Sequence, residues 1–236
     1  MSHKVIIITG ASGGIGSACA RTLIEASPDH HVVLVGRSAS RLHAVADSLP
    51  AARVLCVPTD VTEASQIQHL VDTTLAQFGR IDVLINNAGM AATGPVESFP
   101  PATWNTMLST NLTSVFLCCQ AVIPTLKSLG GGLIVNMASV ASRQAFPEWS
   151  AYCATRFGLV GFSRALAEEV RSVGIHVSLI FPGSVNTPLW EKFPNTFNRE
   201  AMLSPDDVAR AVSYVVGQPP RMLVDEISLI HGGGTQ

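Results

Sequence analysis

Charge is scarce in this chain. Only 14% of its 236 residues are Asp, Glu, Lys or Arg, and none lies between Glu97 and Lys127. The formal net charge is −2 and the basic residues form no run, so the footprint of a nucleic-acid-binding surface is missing. Cysteine pairing is missing too. The five cysteines, at 19, 56, 118, 119 and 153, make no CxxC pair and no even framework, and they read as buried thiols in a reducing compartment. Cys153 stands beside Tyr152 but has no histidine at a useful spacing, which favours packing over a nucleophilic role. His30 and His31 are adjacent in what reads as a polar turn, and adjacent side chains rarely ligate one metal, so no metal site is expected.

MSHK runs straight into VIIITG without a charged leader, an extended apolar core or a cleavage site. A cytoplasmic location is therefore expected, with no membrane partner. The uncharged stretch from 98 to 126 does raise a transmembrane reading. Polar residues such as Asn105, Ser109, Asn111 and Gln120 interrupt it and Pro124 falls near its end, so a buried helix is expected instead.

What is abundant is apolar sequence, 47% of the chain, in an order that alternates strand and helix. Val5 to Thr9 is a β-branched run of the kind buried on both faces of a parallel sheet. GASGGIGSACARTLIEA follows at once, a glycine-rich turn opening a helix. Glycines at 10, 14 and 16 permit a tight turn and close approach of the backbone to a phosphate. The helix N-terminus supplies unpaired N–H groups there.

Further strands are expected at His31–Val35, Arg53–Pro58, Ile81–Ile85, Leu133–Met137, Ile175–Phe181 and Asp225–Ile230. Thr62 is placed as the cap of a helix carrying Ile67, Leu70, Val71 and Phe78, and one long helix is expected from about Ala102 to Leu126. Another helix runs from near Ala151 to about Val173. Ser204-Pro205-Asp206-Asp207 opens a last one with a serine cap, proline at the first position and an acidic third. No linker or repeat interrupts the alternation. The expectation is one α/β domain over 1–236, a doubly wound Rossmann-like parallel sheet flanked by helices.

The chemistry concentrates between Ser139 and Arg156. Tyr152 and Arg156 are four residues apart and share a helix face. A phenol titrates near ~10 in water, so it needs a nearby positive charge to exchange protons close to neutrality. A serine hydroxyl alongside could hold a carbonyl oxygen while the phenol protonates it. An amphipathic helix start with a surface arginine would give the same letters. The remaining motifs favour the site. Asn86 to Gly89 falls at a strand end, where ligands bind in open α/β sheets, and Asn111 is an amide in an uncharged helix that needs partners. At the end of the second strand stand Gly36 and Arg37, with Ser38 and Arg41 following, where NAD binding would call for an acidic residue. A cation there suits a 2′-phosphate, so NADP(H) is favoured over NAD(H).

Together TGASGGIG at 9–16, NNAG at 86–89, Ser139 with YxxxR at 152–156, and PGSVNT at 182–187 resemble the short-chain dehydrogenases/reductases along essentially the whole chain. That resemblance implies a seven-stranded parallel sheet, a nicotinamide cofactor at the strand ends, and hydride exchange with a ketone, a 3-oxoacyl group or a secondary alcohol. It implies Gly10, Gly14, Ile15 and Gly16 against the pyrophosphate, with Ser12 in the same cofactor set. Asp60 and Val61 are implied at the adenine, and Asn87, Ala88 and Gly89 along the ribose and nicotinamide. Pro182, Gly183, Val185 and Thr187 are implied at the carboxamide. Ser139 would bind the substrate oxygen, Tyr152 would be the general acid or base, and Asn111 would anchor a water. A lid over Trp190–Asn198 and a homotetramer or homodimer built on the two long helices are also implied.

One position departs from the family pattern, which has lysine where this chain has Arg156. Arginine keeps the charge and could bind a ribose diol, but it does not give up a proton under working conditions and is wider. The alternative is a cofactor-binding protein with lost or attenuated catalysis, a sensor or scaffold. RNA binding is a distant third. Which substrate the site takes is not legible from the sequence, since Phe146, Trp149 and the lid aromatics could line a pocket or pack elsewhere.

Overall fold

The computed structural model describes residues 3–193 and 198–233. Its seven strands are β1 (Lys4–Thr9), β2 (His30–Gly36), β3 (Val54–Pro58), β4 (Val83–Asn86), β5 (Gly132–Met137), β6 (Ile175–Pro182) and β7 (Glu226–Leu229). All pair in parallel, in the order β3-β2-β1-β4-β5-β6-β7. The helices are α1 (Gly14–Ala26), α2 (Ala39–Ala46), α3 (Ala64–Phe78), α4 (Pro101–Leu108), α5 (Ser114–Ser128), α6 (Ser150–Val170) and α7 (Pro205–Val216).

The β-branched runs become central strands because both faces of the sheet are covered. Along β1 the side chains alternate. Val5 and Ile7 enter one core with Ile67 and Leu70 of α3, Val115 and Val122 of α5, and Leu159 of α6. Ile6 and Ile8 enter the other, with Leu23 of α1, Leu42 of α2 and Val212 of α7. A fully buried Ile or Leu contributes about 1.5–3 kcal/mol, so these two layers dominate the stability. The chain winds outward from β1 in one direction and from β4 in the other, which opens a crevice beyond their carboxyl ends.

Three local expectations are corrected. His30 and His31 are not in a turn. Both belong to β2, opposite Lys4 and Val5, and buried His30 has Nδ1 2.9 Å from the Leu23 carbonyl oxygen. Burial holds both histidines below the usual imidazole range. Thr62 does not cap α3. Glu63 holds that position, while the Thr62 main-chain N–H and hydroxyl both donate to Asp60 Oδ1, at 3.0 and 2.7 Å. The expected long helix is divided by a π-helical turn, Ser109–Thr113, at the point where the side chain of buried Asn111 bonds Met90 and Thr155. Helix α2 lies in a stretch given no element from the sequence, and the Ser38 side chain caps it by accepting from Arg41 N–H at 3.4 Å.

The apolar stretch Pro101–Ser128 is long and apolar enough to cross a membrane by length and composition alone. It carries Val115, Cys118, Val122 and Leu126 into the core and leaves Phe116 45% exposed. Helix α7 starts with the box read from the sequence: Ser204 Oγ accepts from Asp207 N–H at 3.2 Å, and Asp207 Oδ2 accepts from Ser204 N–H at 2.7 Å.

Candidate active site

The crevice is a cleft of about 1010 Å³. At one end lies the glycine turn between β1 and α1. Gly10 and Gly14 have φ of 67° and 54°, left-handed values that favour glycine. A Cβ on Gly10 would come within 2.9 Å of Ala88 Cα, so the turn and the Asn87–Gly89 segment fit only without a side chain there. A Cβ on Gly13 would meet nothing within 4 Å, and no side chain caps α1. The N-terminus of a thirteen-residue helix thus opens onto the cleft beside a bare backbone turn, the arrangement that fits a pyrophosphate. Gly10, Ser12, Gly14 and Ile15 line the cleft, but Gly16 does not. A Cβ at 16 would sit 2.3 Å from the Gly10 carbonyl oxygen, so this glycine lets the helix close onto the turn.

Thr9 fastens this turn to the end of β4, a role with no signature in the sequence. Its hydroxyl accepts from the N–H groups of Asn87 (2.9 Å) and Ala88 (3.0 Å), while Asn87 Nδ2 donates to the Thr9 and Gly10 carbonyls at 3.0 and 3.2 Å. Asn86 points away from the cleft, donating at 2.9 Å to Asn136 Oδ1 within the core.

At the ends of β2 and β3, Arg37, Arg41, Asp60 and Val61 line the wall. The Thr62 main-chain N–H holds the Asp60 carboxyl below its usual range, assisted by the Thr62 hydroxyl and the Arg37 charge. Both arginines are exposed.

The other end of the cleft holds Ser139, Tyr152 and Arg156. Ser139 follows β5 and caps a short turn, its Oγ accepting from Ala141 N–H at 3.1 Å. That turn is moored to the sheet by Arg143. Its guanidinium lies 3.7 Å over the Phe181 ring, donates to Ser228 Oγ at 2.8 Å, and pairs with Glu226. Glu226 also pairs with Arg164 of α6 at 2.8 Å, so one carboxylate ties the Ser139 turn to the helix bearing Tyr152.

Asn111 is fully buried and outside the cleft wall. Its Oδ1 accepts from Met90 N–H at 2.8 Å, and its Nδ2 donates to the Met90 carbonyl (2.9 Å) and to Thr155 Oγ1 (3.2 Å). Thr155 in turn donates to the Tyr152 carbonyl at 2.8 Å. Asn111 therefore locks the first turn of α6 to the loop after β4. Thr155 looks unremarkable in sequence and is the middle of that link.

Arg156 is buried, 8% exposed. Nη1 donates to the Met137 carbonyl at 3.0 Å, Nη2 packs against Gly89, and the guanidinium carbon is 4.9 Å from the Tyr152 ring centroid. Nε is buried without a partner. The guanidinium charge thus lies at the ring on the cleft side of β5.

The last wall follows β6. Pro182, Gly183, Val185 and Thr187 all line the cleft, and Thr187 reaches to 3.2 Å of where a Gly14 Cβ would stand. Arg199 holds this segment through Asn186 Oδ1 (2.6 and 2.8 Å) and the Thr187 carbonyl (3.2 Å). Of the expected lid, Pro194 to Phe197 lie outside the described residues.

Four of the five thiols are buried as expected, and Cys56 is half-buried. Burial pushes Cys19 and Cys118 up to about 12 and Cys119 higher still, and all five cysteines are unpaired. Among the described residues no cluster of three or more metal-ligating side chains exists.

The sequence pattern of the family described as short chain dehydrogenase matches residues 4–197. D-threitol dehydrogenase of Mycolicibacterium smegmatis is 35% identical over 249 residues, which cover 100% of this chain and 94% of that protein. Among solved structures, an alcohol dehydrogenase from the archaeon Thermococcus sibiricus, complexed with 5-hydroxy-NADP, superimposes with a TM-score of 0.89. It is 28% identical and the match covers 99% of this chain and 98% of that one. The 3-ketoacyl-(acyl-carrier-protein) reductase from Brucella melitensis, complexed with NADH, also reaches 0.89 at 28% identity, with 97% of each chain covered. With the glycine turn, Ser139 and Tyr152 on one cleft, this chain belongs to the short-chain dehydrogenase family and is an oxidoreductase.

Proposed function

We propose that the protein is an NADP(H)-dependent carbonyl reductase or alcohol dehydrogenase, working between a ketone or 3-oxoacyl group and the secondary alcohol. The observation that carries this reading is the convergence of Ser139, Tyr152 and Arg156 with the glycine turn on a single cleft. The residues fit the cofactor: a cradle that a Cβ on Gly10 would fill, an uncapped helix terminus, and a buried arginine with one unpartnered nitrogen. Gly10, Ser12, Gly14 and Ile15 would hold the pyrophosphate and Asp60 and Val61 the adenine. Asn87, Ala88 and Gly89 would face the ribose, and Pro182, Gly183, Val185 and Thr187 the carboxamide. Arg37, with Arg41 behind it, would pair with a 2′-phosphate, which supports NADP(H) over NAD(H).

A nicotinamide held in this cleft would supply a hydride to the carbonyl carbon, so that a ketone, one proton and reduced cofactor would yield a secondary alcohol and oxidised cofactor. Ser139 Oγ holds the carbonyl oxygen and Tyr152 Oη donates the proton to it. Arg156 offsets the negative charge that develops on the tyrosine oxygen. The guanidinium does not release protons at working pH, so the proton restoring Tyr152 comes from solvent in the cleft. The Asn111 side chain is fully engaged with Met90 and Thr155, so any water it anchors is held by its main chain.

The whole of 1–236 would act as one domain, cofactor half to about 130 and catalytic half beyond, in the cytoplasm. Exposed Phe116 on α5 (45%) and Phe157 on α6 (48%) support a homodimer or homotetramer packed on these two helices. The test is NADPH oxidation by purified protein with ketones, diketones and β-ketoacyl thioesters. Tight NADPH binding with no turnover on any of them would refute the proposal and leave a cofactor binder without chemistry.

A further inference from the structure

We infer that the substrate carries a bulky apolar, preferably aromatic, group beside its reacting carbonyl, and that Trp149 selects it. This rests on the proposed function and adds the class of substrate. The wall next to Tyr152 is aromatic. Glu148, the one non-glycine residue with left-handed backbone among the described residues (φ 63°), has its carbonyl held by Gly94 N–H at 2.9 Å. The turn it makes leads directly into Trp149. The indole stands edge-on to the Tyr152 ring, centroids 5.5 Å apart at 74°. It also packs on Phe193 at 5.5 Å and 20°, and on Trp190 at 6.2 Å. Trp190 Nε1 donates to the Val185 carbonyl at 2.9 Å, and its ring packs on Phe193 at 5.6 Å. Phe146 and Leu189 continue the same lining.

A carbonyl held between Ser139 and Tyr152 therefore places one of its substituents against the side of the cleft lined by Phe146, Trp149, Leu189 and Trp190. An apolar or aryl group gains contact there. A hydroxyl turned to those rings would lose water without gaining a partner from them, a loss of roughly tenfold to hundredfold in kcat/KM. Lys192, the cation on this part of the wall, is exposed. The wall thus argues against small polyols.

Steady-state rates with NADPH on acetophenone, erythrulose and an acetoacetyl thioester test this. Acetophenone should exceed erythrulose about a hundredfold in kcat/KM, and should exceed the thioester as well. Trp149→Ala should lower kcat/KM for acetophenone about tenfold or more, mainly through KM, and lower that for 2-butanone less. Trp149→Phe keeps a ring and should recover most of the loss, which separates selection from a folding defect. Erythrulose or the thioester matching acetophenone, or Trp149→Ala costing both ketones equally, overturns the inference while leaving the proposed hydride transfer intact. Should no carbonyl be reduced, the proposed function fails. Tryptophan fluorescence of the NADPH-loaded protein then decides the substrate class: saturable quenching by acetophenone but not erythrulose sustains it, and its absence refutes it.

Discussion

Gly89→Ala probes how the arginine is accommodated. The new Cβ would lie 2.7 Å from Arg156 Nη2, against the 3.4 Å at which ordinary contact begins, so the guanidinium must retreat by about 0.7 Å. The group is rigid and Nη1 moves with Nη2. A displacement of that size is enough to carry the 3.0 Å bond to the Met137 carbonyl past the ~3.2 Å limit for N–H···O. A hydrogen bond from a charged donor is worth about 1.5–3 kcal/mol, and the same charge is the one proposed to assist Tyr152. Gly89→Ala should therefore lower kcat roughly tenfold to hundredfold. Gly89 also lines the cleft where the cofactor is proposed to lie, so the single variant does not separate the two causes. Arg156→Lys removes Nη2, and in that background the alanine should cost little beyond its effect on cofactor KM. The assay is a double-mutant cycle in kcat, with thermal melting run in parallel as a check on folding. Additive losses would show that Gly89 does not position Arg156 and would sink the reasoning.

Three further outcomes follow from the same geometry. Arg37→Ala should raise KM for NADPH by about tenfold to hundredfold and leave NADH nearly unchanged, since it removes one charge-assisted bond to a 2′-phosphate; an unchanged ratio would end the NADP(H) preference. Burial lowers the folded-state pKa of His30 and of His31, so their neutral forms belong to the folded state. The stability they bring is full above the unfolded value of about 6.5 and is lost as pH falls through the lower folded values. Melting temperature should thus drop below pH ~6.5, and His30→Asn should flatten that drop, despite Lys4, Asp29 and Arg53 nearby. Glu226→Gln frees both Arg143 and Arg164. It should cost about 0.5–2 kcal/mol in denaturant unfolding, as expected for a partly exposed network, and lower kcat more than KM.

The alternation of apolar runs with glycine turns, and the Ser204 capping box, are local patterns, and β1 to β7 and α7 could be read from them within a few residues. That Tyr152 and Arg156 share a helix face was legible for the same reason: the step between them is one helical turn wherever the helix lies. The His30–His31 pair misled because two adjacent polar residues look like a turn until the strand beside them shows that one of the two is buried. The π turn was hidden because Asn111 acts through Met90, twenty-one residues away, and Thr155, forty-four away.

The sequence alone therefore determined the fold class and the family, since each rests on short-range periodicity or a contiguous motif. Only the tertiary structure decided how they work together. Thr9 joins two strand ends, Thr155 passes the hold of Asn111 to the first turn of α6, and Glu226 ties the Ser139 turn to that same helix. The fit of Arg156 against Gly89 was likewise invisible, and only the structure decided that Phe146, Trp149 and Trp190 line the cleft. Most of these are contacts between residues far apart in the chain, fixed by packing rather than by spacing.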